Sequence, residues 1–248
     1  MIKQLVKRSF KLLGYELVKV RKSGNSLPRD FADDESEIIR RVQPFTMTTP
    51  ERLYGLIKAV KYIEHNSIDG SIVECGVWKG GSMMAVAYTL NQLGNQDRDL
   101  YLFDTYEGMT APTDKDGSCA VEKFNKTRIN DNCSTWCRAT IDEVTKNMST
   151  TNYNEARVHF IKGKVEDTIP SRAPEKIALL RLDTDWYEST KHELEHLYPR
   201  LQQNGAVIID DYGRWEGARK AVEEYFESND KKILLNRMDS SGRIGIKI

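Results

Sequence analysis

Short apolar runs alternate with amphipathic helical segments from residue 50 onward, and this alternation constrains the fold more than any other feature. The strand-like runs are residues 71–75, 100–103, 158–161, 177–182 and 206–209. They lack the polar–apolar alternation of half-exposed strands and are typical of parallel strands buried on both faces of a sheet. The sequence therefore predicts an α/β fold. In such folds ligands bind beyond the carboxyl ends of the strands, near the point where the strand order reverses.

The first predicted strand ends in an acidic, glycine-rich turn, residues 74–82. Glycine lets a backbone approach a ligand closely, and the helix that follows offers free N–H groups. The turn has neither the spacing of a P-loop nor a G-x-G-x-x-G pattern. Asp104 follows the second strand, where a carboxylate can accept hydrogen bonds from both hydroxyls of a ribose. Together these features favour S-adenosylmethionine over NAD.

Carboxylates follow the fourth and fifth predicted strands, as Asp183 and Asp185 and as Asp210 and Asp211. With the strand order 3-2-1-4-5, these two strands are neighbours about 4.8 Å apart and their ends lie side by side. Crowded carboxylates resist joint ionisation unless a cation lies between them. Oxygen ligands suit Mg²⁺, with Mn²⁺ or Ca²⁺ as alternatives. The simpler interpretation is that Asp183 caps a helix and Asp210–Asp211 form a solvated turn.

These stretches resemble the macrocin O-methyltransferase family, the metal-dependent sugar O-methyltransferases of macrolide and aminocoumarin biosynthesis. The similar segments are residues 44–53, 73–82, 102–109, 163–170, 182–190 and 209–213. The resemblance implies a Rossmann-like class I methyltransferase fold with a seven-stranded, mostly parallel sheet over residues 46–248. The residues themselves predict an N-terminal helical extension with an acidic segment (residues 1–45) and a polar lid insertion (residues 110–150), which should shape the acceptor pocket.

The resemblance also implies roles for individual residues. The implied cofactors are S-adenosylmethionine and Mg²⁺, and the implied reaction is methyl transfer to a sugar hydroxyl after metal-assisted deprotonation. The implied metal ligands are Asp183, Asp210 and Asp211, and the implied general base is Asp185. The implied cofactor contacts are Glu74, Gly76 and Ser82 at the methionine end, Asp104 at the ribose and Asp167 near the adenine.

Other functions fit single motifs. Asp183-Thr184-Asp185 is a D-x-D pattern, by which metal-dependent glycosyltransferases hold a sugar nucleotide, and a catechol-type acceptor would suit the same metal. A zinc-protease motif, His192-Glu193-Leu194-Glu195-His196, lies on a predicted helix on which both histidines should face solvent. Cys119, Cys133 and Cys137 have no assignable fourth zinc ligand and are expected to be reduced, inert thiols.

Composition limits the partners and the compartment. The chain has 37 Lys+Arg and 37 Asp+Glu, so net charge gives no argument for nucleic-acid binding. There is no membrane-spanning apolar run, the first residues are too charged for a signal peptide, and four cysteines are too few for a disulfide framework. The sequence predicts a cytoplasmic protein with a small-molecule acceptor. The basic amphipathic segment 1–23 predicts a helix that joins subunits in a homo-oligomer, or that touches a membrane surface or a nucleic acid.

Overall fold

A computed structural model describes residues 14, 27–131, 133–229 and 232–248, and residues 32–248 form one unit. The helices are α1 (Asp33–Val42), α2 (Pro50–His65), α3 (Gly81–Gln92), α4 (Ser118–Thr127), α5 (Ile141–Ser149), α6 (Val165–Thr168), α7 (Tyr187–Leu197) and α8 (Glu216–Ser228). Helix α1 lies in this unit although its sequence falls within the predicted extension. The helix predicted for residues 1–23, with its proposed subunit contacts, lies outside the described residues apart from Gly14.

The strands form a seven-stranded sheet and a separate hairpin. They are β1 (Ser71–Cys75), β2 (Leu100–Asp104), β3 (Arg128–Asn130), β4 (Cys133–Ser134), β5 (Val158–Lys162), β6 (Ile177–Leu182), β7 (Leu201–Ile209), β8 (Asn236–Arg237) and β9 (Arg243–Ile246). The main sheet has the order β5-β2-β1-β6-β7-β9-β8, with β3 and β4 as the hairpin. The first five strands in this order, β5, β2, β1, β6 and β7, are parallel, and β9 and β8 pair antiparallel. This arrangement confirms the predicted strand order and the mostly parallel sheet.

Both faces of the central strands are covered. Every residue of β1 and of β6 is buried, as expected for parallel strands between two helical layers. Side chains from β1, β6 and β7 share a core with α7 and α8. This packing fixes where the carboxyl ends of the strands lie, and therefore the positions of the residues that follow them.

The strand ends are joined by the backbone itself. The N–H groups of residues just beyond the strands donate to carbonyl oxygens of the neighbouring strand. These bonds are Gly163 to Asp104 (3.0 Å), Gly76 to Phe103 (2.8 Å), Asp183 to Cys75 (2.8 Å) and Asp210 to Leu182 (2.9 Å). Gly76 has φ +83°, and a Cβ there would lie 2.0 Å from the Asp183 carbonyl oxygen. Only glycine fits at this point, where the chain that leaves β1 passes close to the chain that leaves β6.

The segment 110–150 is folded and not a bare loop. It contains α4, the β3–β4 hairpin and α5, consistent with the expected polar connection with short helices. Helix α5 begins at the Thr140 cap, whose hydroxyl accepts from the Glu143 N–H at 3.2 Å. The Asn147 amide donates to the Lys79 carbonyl at 2.9 Å, so α5 holds the glycine-rich turn from outside.

The expectation that both histidines of the zinc-protease motif face solvent is wrong. His192 and His196 are half-buried with ring centres 4.4 Å apart, and His192 Nε2 lies 3.0 Å from the Ile169 carbonyl oxygen. Glu193 points inward and is fully buried. Helix α7 packs against α6 and the adjoining loop, which narrows its solvent-facing side. Across the described residues, no helix is long and apolar enough to cross a bilayer.

Candidate active site

A cavity of about 300 Å³ opens at the carboxyl ends of the central strands. Its walls come from the glycine-rich turn after β1, the loops after β6 and β7, and the segment 110–150. The predicted site residues that line it are Gly76, Ser82, Asp104, Asp183, Asp185, Asp210 and Asp211. Glu74 lies beneath the floor with 1 % of its surface exposed. Asp167 is exposed outside the cavity, and its neighbour Glu166 lines the wall instead.

Asp183, Asp185 and Asp211 form the carboxylate cluster of the cavity. One oxygen of each lies within 4.8 Å of the others. Burial raises the pKa of Asp183 and of Asp211 well above the usual range. The negative charge of Asp185 contributes to the raised pKa of Asp211, because like charges this close oppose joint ionisation. Oδ2 of Asp211 is buried without a hydrogen-bond partner in the described part of the chain. An oxygen-only donor set with an orphaned oxygen fits a divalent cation such as Mg²⁺.

Asp185 has an uncommon backbone conformation and a raised pKa. Its φ is +70°, a left-handed conformation that non-glycine residues rarely adopt and that clusters at functional sites. Burial raises its pKa to about 7. A carboxylate that titrates near neutral pH is well matched to proton transfer.

Asp210, the remaining predicted metal ligand, is bound by two arginines. Its Oδ2 forms a short ion pair with Arg52 of α2, and its Oδ1 lies 2.5 Å from Arg181. Arg52 also reaches Asp239, with Nε 3.0 Å from Oδ2. Asp210 lines the same cavity as the cluster. Its role as a third metal ligand stays a prediction.

Arg181 is the buried cation beneath the carboxylates. Its side chain is 3 % exposed and forms ion pairs with Glu74, Asp183 and Asp210. Its NH2 group also donates to the Thr48 hydroxyl at 3.0 Å. Burial raises the pKa of Glu74 to about 7, and the adjacent guanidinium opposes that rise. One arginine therefore contacts a predicted cofactor residue and two predicted metal ligands.

Asp104 holds the glycine-rich turn in place. Its Oδ2 accepts from the N–H groups of Val77 (2.7 Å) and Trp78 (3.0 Å), and its Oδ1 accepts from Tyr106 N–H (2.7 Å). Trp78 has φ +46°, so this turn is kept in a strained conformation by the carboxylate. The predicted ribose contact thus also shapes the backbone around the predicted cofactor site.

The variant Asp104→Ala is expected to weaken S-adenosylhomocysteine binding by about 1–3 kcal/mol, because three backbone donors lose their acceptor and the turn relaxes. Titration calorimetry measures the change. Asp104→Asn, which keeps one acceptor oxygen, is the matched control and should lose less. Unchanged affinity in the alanine variant would remove Asp104 from the cofactor site.

Three tryptophans form a wall beside the cluster. Trp136, Trp186 and Trp215 pack edge-to-face with ring centres 5.4 to 5.8 Å apart. Trp136 comes from the segment 110–150, while the other two follow β6 and β7. Trp186 donates to the Thr110 carbonyl at 3.0 Å, which ties the segment to the sheet. Trp136 and Trp215 line the cavity and give it an apolar side next to Asp185.

The cysteines are free thiols. Cys137 lines the cavity, and burial raises its pKa to about 12, so it stays protonated at neutral pH. Cys119 is exposed, and the Cys133 thiol donates to the Glu107 carbonyl at 3.2 Å. The prediction of reduced thiols is consistent with this arrangement.

Sequence reasoning missed Arg52, Arg181 and the tryptophan wall. Arg181 had a usable signal, because an arginine inside an otherwise apolar, doubly buried strand needs buried acidic partners. Arg52 had no such signal, because its position in the sequence is that of an ordinary polar residue on α2. The tryptophans meet only after the segment 110–150 folds back over the loops beyond β6 and β7.

Several known proteins that are similar to this chain are O-methyltransferases. An O-methyltransferase of Streptomyces olivaceus, which acts at the 4' position of a rhamnosyl tetracenomycin, is 34 % identical over 197 residues, covering 79 % of this chain and 73 % of the relative. The structure of the O-methyltransferase NovP matches with TM-score 0.74 and 28 % identity, covering 82 % of each chain. A Bacillus cereus O-methyltransferase solved with S-adenosylhomocysteine shares the fold alone, at TM-score 0.52 and 13 % identity over 100 % of both chains.

The fold and the cavity define an S-adenosylmethionine-dependent O-methyltransferase. Residues 3–244 match the model of the macrocin-O-methyltransferase (TylF) family. The chain belongs to this family, which confirms the resemblance of its motifs.

Proposed function

We propose that this enzyme transfers a methyl group from S-adenosylmethionine to a sugar hydroxyl on a small molecule, with Mg²⁺ at the carboxylate cluster. The observation that carries the proposal is the cluster of Asp183, Asp185 and Asp211 in the cavity that the glycine-rich turn also lines. The relative from Streptomyces olivaceus acts on a rhamnosyl group, which supports a sugar acceptor here.

We assign the cofactor and the metal to two different sides of the cavity. The turn around Gly76 and Ser82, held by Asp104, is the proposed cofactor side. The proposed metal ligands are Asp183, Asp210 and Asp211, and the bound cation would lower the pKa of an acceptor hydroxyl and orient it. Asp185 would take the hydroxyl proton, a contribution of about 10² to 10⁴ in rate. Positioning of the hydroxyl oxygen in line with the methyl group supplies much of the remaining acceleration.

A thermal melt tests the proposal. S-adenosylhomocysteine at about 100 times its dissociation constant should add roughly 2.7 kcal/mol, which shifts the melting temperature by about 5–10 °C. Mg²⁺ should raise the melting temperature of the wild type and not that of Asp211→Asn, because that change removes a ligand. A shift with Mg²⁺ and UDP-sugars but none with the homocysteine nucleoside would contradict the proposal and favour a D-x-D glycosyltransferase.

A further inference from the structure

Two cations lie over the tryptophan wall at the cavity. Lys123 Nζ is 5.3 Å from the centre of the Trp136 ring and 5.2 Å from that of Trp215. The Arg214 guanidinium carbon is 5.1 Å from the centre of the Trp215 ring. Both residues line the cavity that contains the carboxylate cluster. Both charges therefore flank Trp215, which lines this cavity together with Asp185.

These cations lack acidic partners, in contrast to the lysines around a second aromatic ring. Tyr187 has three lysines over it, Lys115, Lys191 and Lys220. Each of the three is paired with a glutamate: Lys115 with Glu188 at 2.7 Å, Lys191 with Glu195 and Lys220 with Glu224, both at 3.9 Å. Neither Lys123 nor Arg214 forms an ion pair with any residue that the structure describes.

Unpaired cations on an aromatic wall can bind an anion that enters the cavity. An ammonium provides a point charge and a guanidinium a planar fork, and both bind phosphate or carboxylate through charge-assisted hydrogen bonds. The indoles beside them offer apolar surface to the C–H face of a sugar ring. Lys123, Arg214 and Asp185 line one cavity, so a single acceptor molecule can present an anion to the two cations and a hydroxyl to Asp185.

We propose that the acceptor carries an anionic group, a phosphate or a carboxylate, which Lys123 and Arg214 bind while the sugar packs on Trp136 and Trp215. This inference rests on the proposed function, since it assigns the acceptor of that same site. It narrows the substrate class to negatively charged sugars: sugar phosphates, nucleotide-linked sugars or sugar acids.

Tryptophan fluorescence in the presence of S-adenosylhomocysteine and Mg²⁺ measures the binding of matched probes. The probes are methyl α-glucoside, glucuronate, glucose 1-phosphate and dTDP-glucose. At least one anionic probe should bind about tenfold or more tightly than the neutral glucoside, the scale of one charge-assisted hydrogen bond. The tightest of the three shows whether a carboxylate, a phosphate monoester or a diphosphate supplies the charge.

Lys123→Met and Arg214→Met should each abolish most of that preference without changing the affinity for S-adenosylhomocysteine. Lys126→Met and Arg219→Met are the controls, because both residues are exposed and neither lines the cavity. A neutral glucoside that binds as tightly as every anionic probe would overturn the inference, as would an equal loss in the control variants. A protein that binds no S-adenosylhomocysteine contradicts the proposed function instead, so the two failures are distinguishable.

Discussion

Asp183→Asn is expected to lower kcat by about 10² to 10⁴, because it removes a carboxylate of the proposed metal site, whose cation would orient the acceptor hydroxyl. The amide keeps an oxygen that can still accept from Arg181, which lies 2.7 Å from Asp183 Oδ2 in the wild type. Affinity for S-adenosylhomocysteine should therefore stay within a few-fold. Methyl transfer and calorimetry, measured on the same preparation, separate the two effects.

Chelation of divalent ions provides a second test of the metal assignment of Asp183. Removal of the metal should reduce the wild-type rate to the level of Asp183→Asn and should not reduce the variant further, since both changes remove the same contribution. Asp97→Asn, an exposed aspartate outside the cavity, is the matched control. Near-normal turnover of Asp183→Asn with Mg²⁺ present would disprove the metal assignment.

Arg181→Met should destabilise the fold by about 3–5 kcal/mol, because Glu74 and Asp183 would lose the cation that they pair with and Asp210 would keep only Arg52. For a chain of this size the melting temperature should fall on the order of 10 °C. The deficit should shrink at lower pH, since the orphaned carboxyls then take up protons in the folded state. Scanning calorimetry between neutral and mildly acidic pH measures both effects.

Arg181→Lys provides the graded comparison. It keeps the charge but not the planar fork that contacts three carboxylates, so its stability should lie between those of the wild type and Arg181→Met. Arg172→Met removes an exposed arginine at small cost. If Arg181→Met melted at as high a temperature as Arg172→Met, Arg181 would not be the group that neutralises the buried carboxylates.

The sequence predicted the meeting of Asp183 and Asp211 because parallel strands end at one edge of a sheet, and β6 and β7 are neighbours. It could not predict that Asp210 points to Arg52, which lies 158 residues away on α2 and reaches the site through its long side chain. Glu74 illustrates the same limit. It lies within β1 rather than after it, and its contact with Arg181 depends on packing that no local pattern encodes.

The backbone bonds that join the strand exits have a consequence for how acceptor choice can change. They join the glycine-rich turn to the strand ends that precede the carboxylates, whereas the segment 110–150 contacts that turn from outside, through Asn147. That segment contributes Lys123 and Trp136, half of the proposed acceptor wall, and touches none of those bonds. Substitutions at Lys123 and Trp136 should therefore alter acceptor preference without displacing the strand ends, so this half of the proposed wall can be varied independently of the joined backbone.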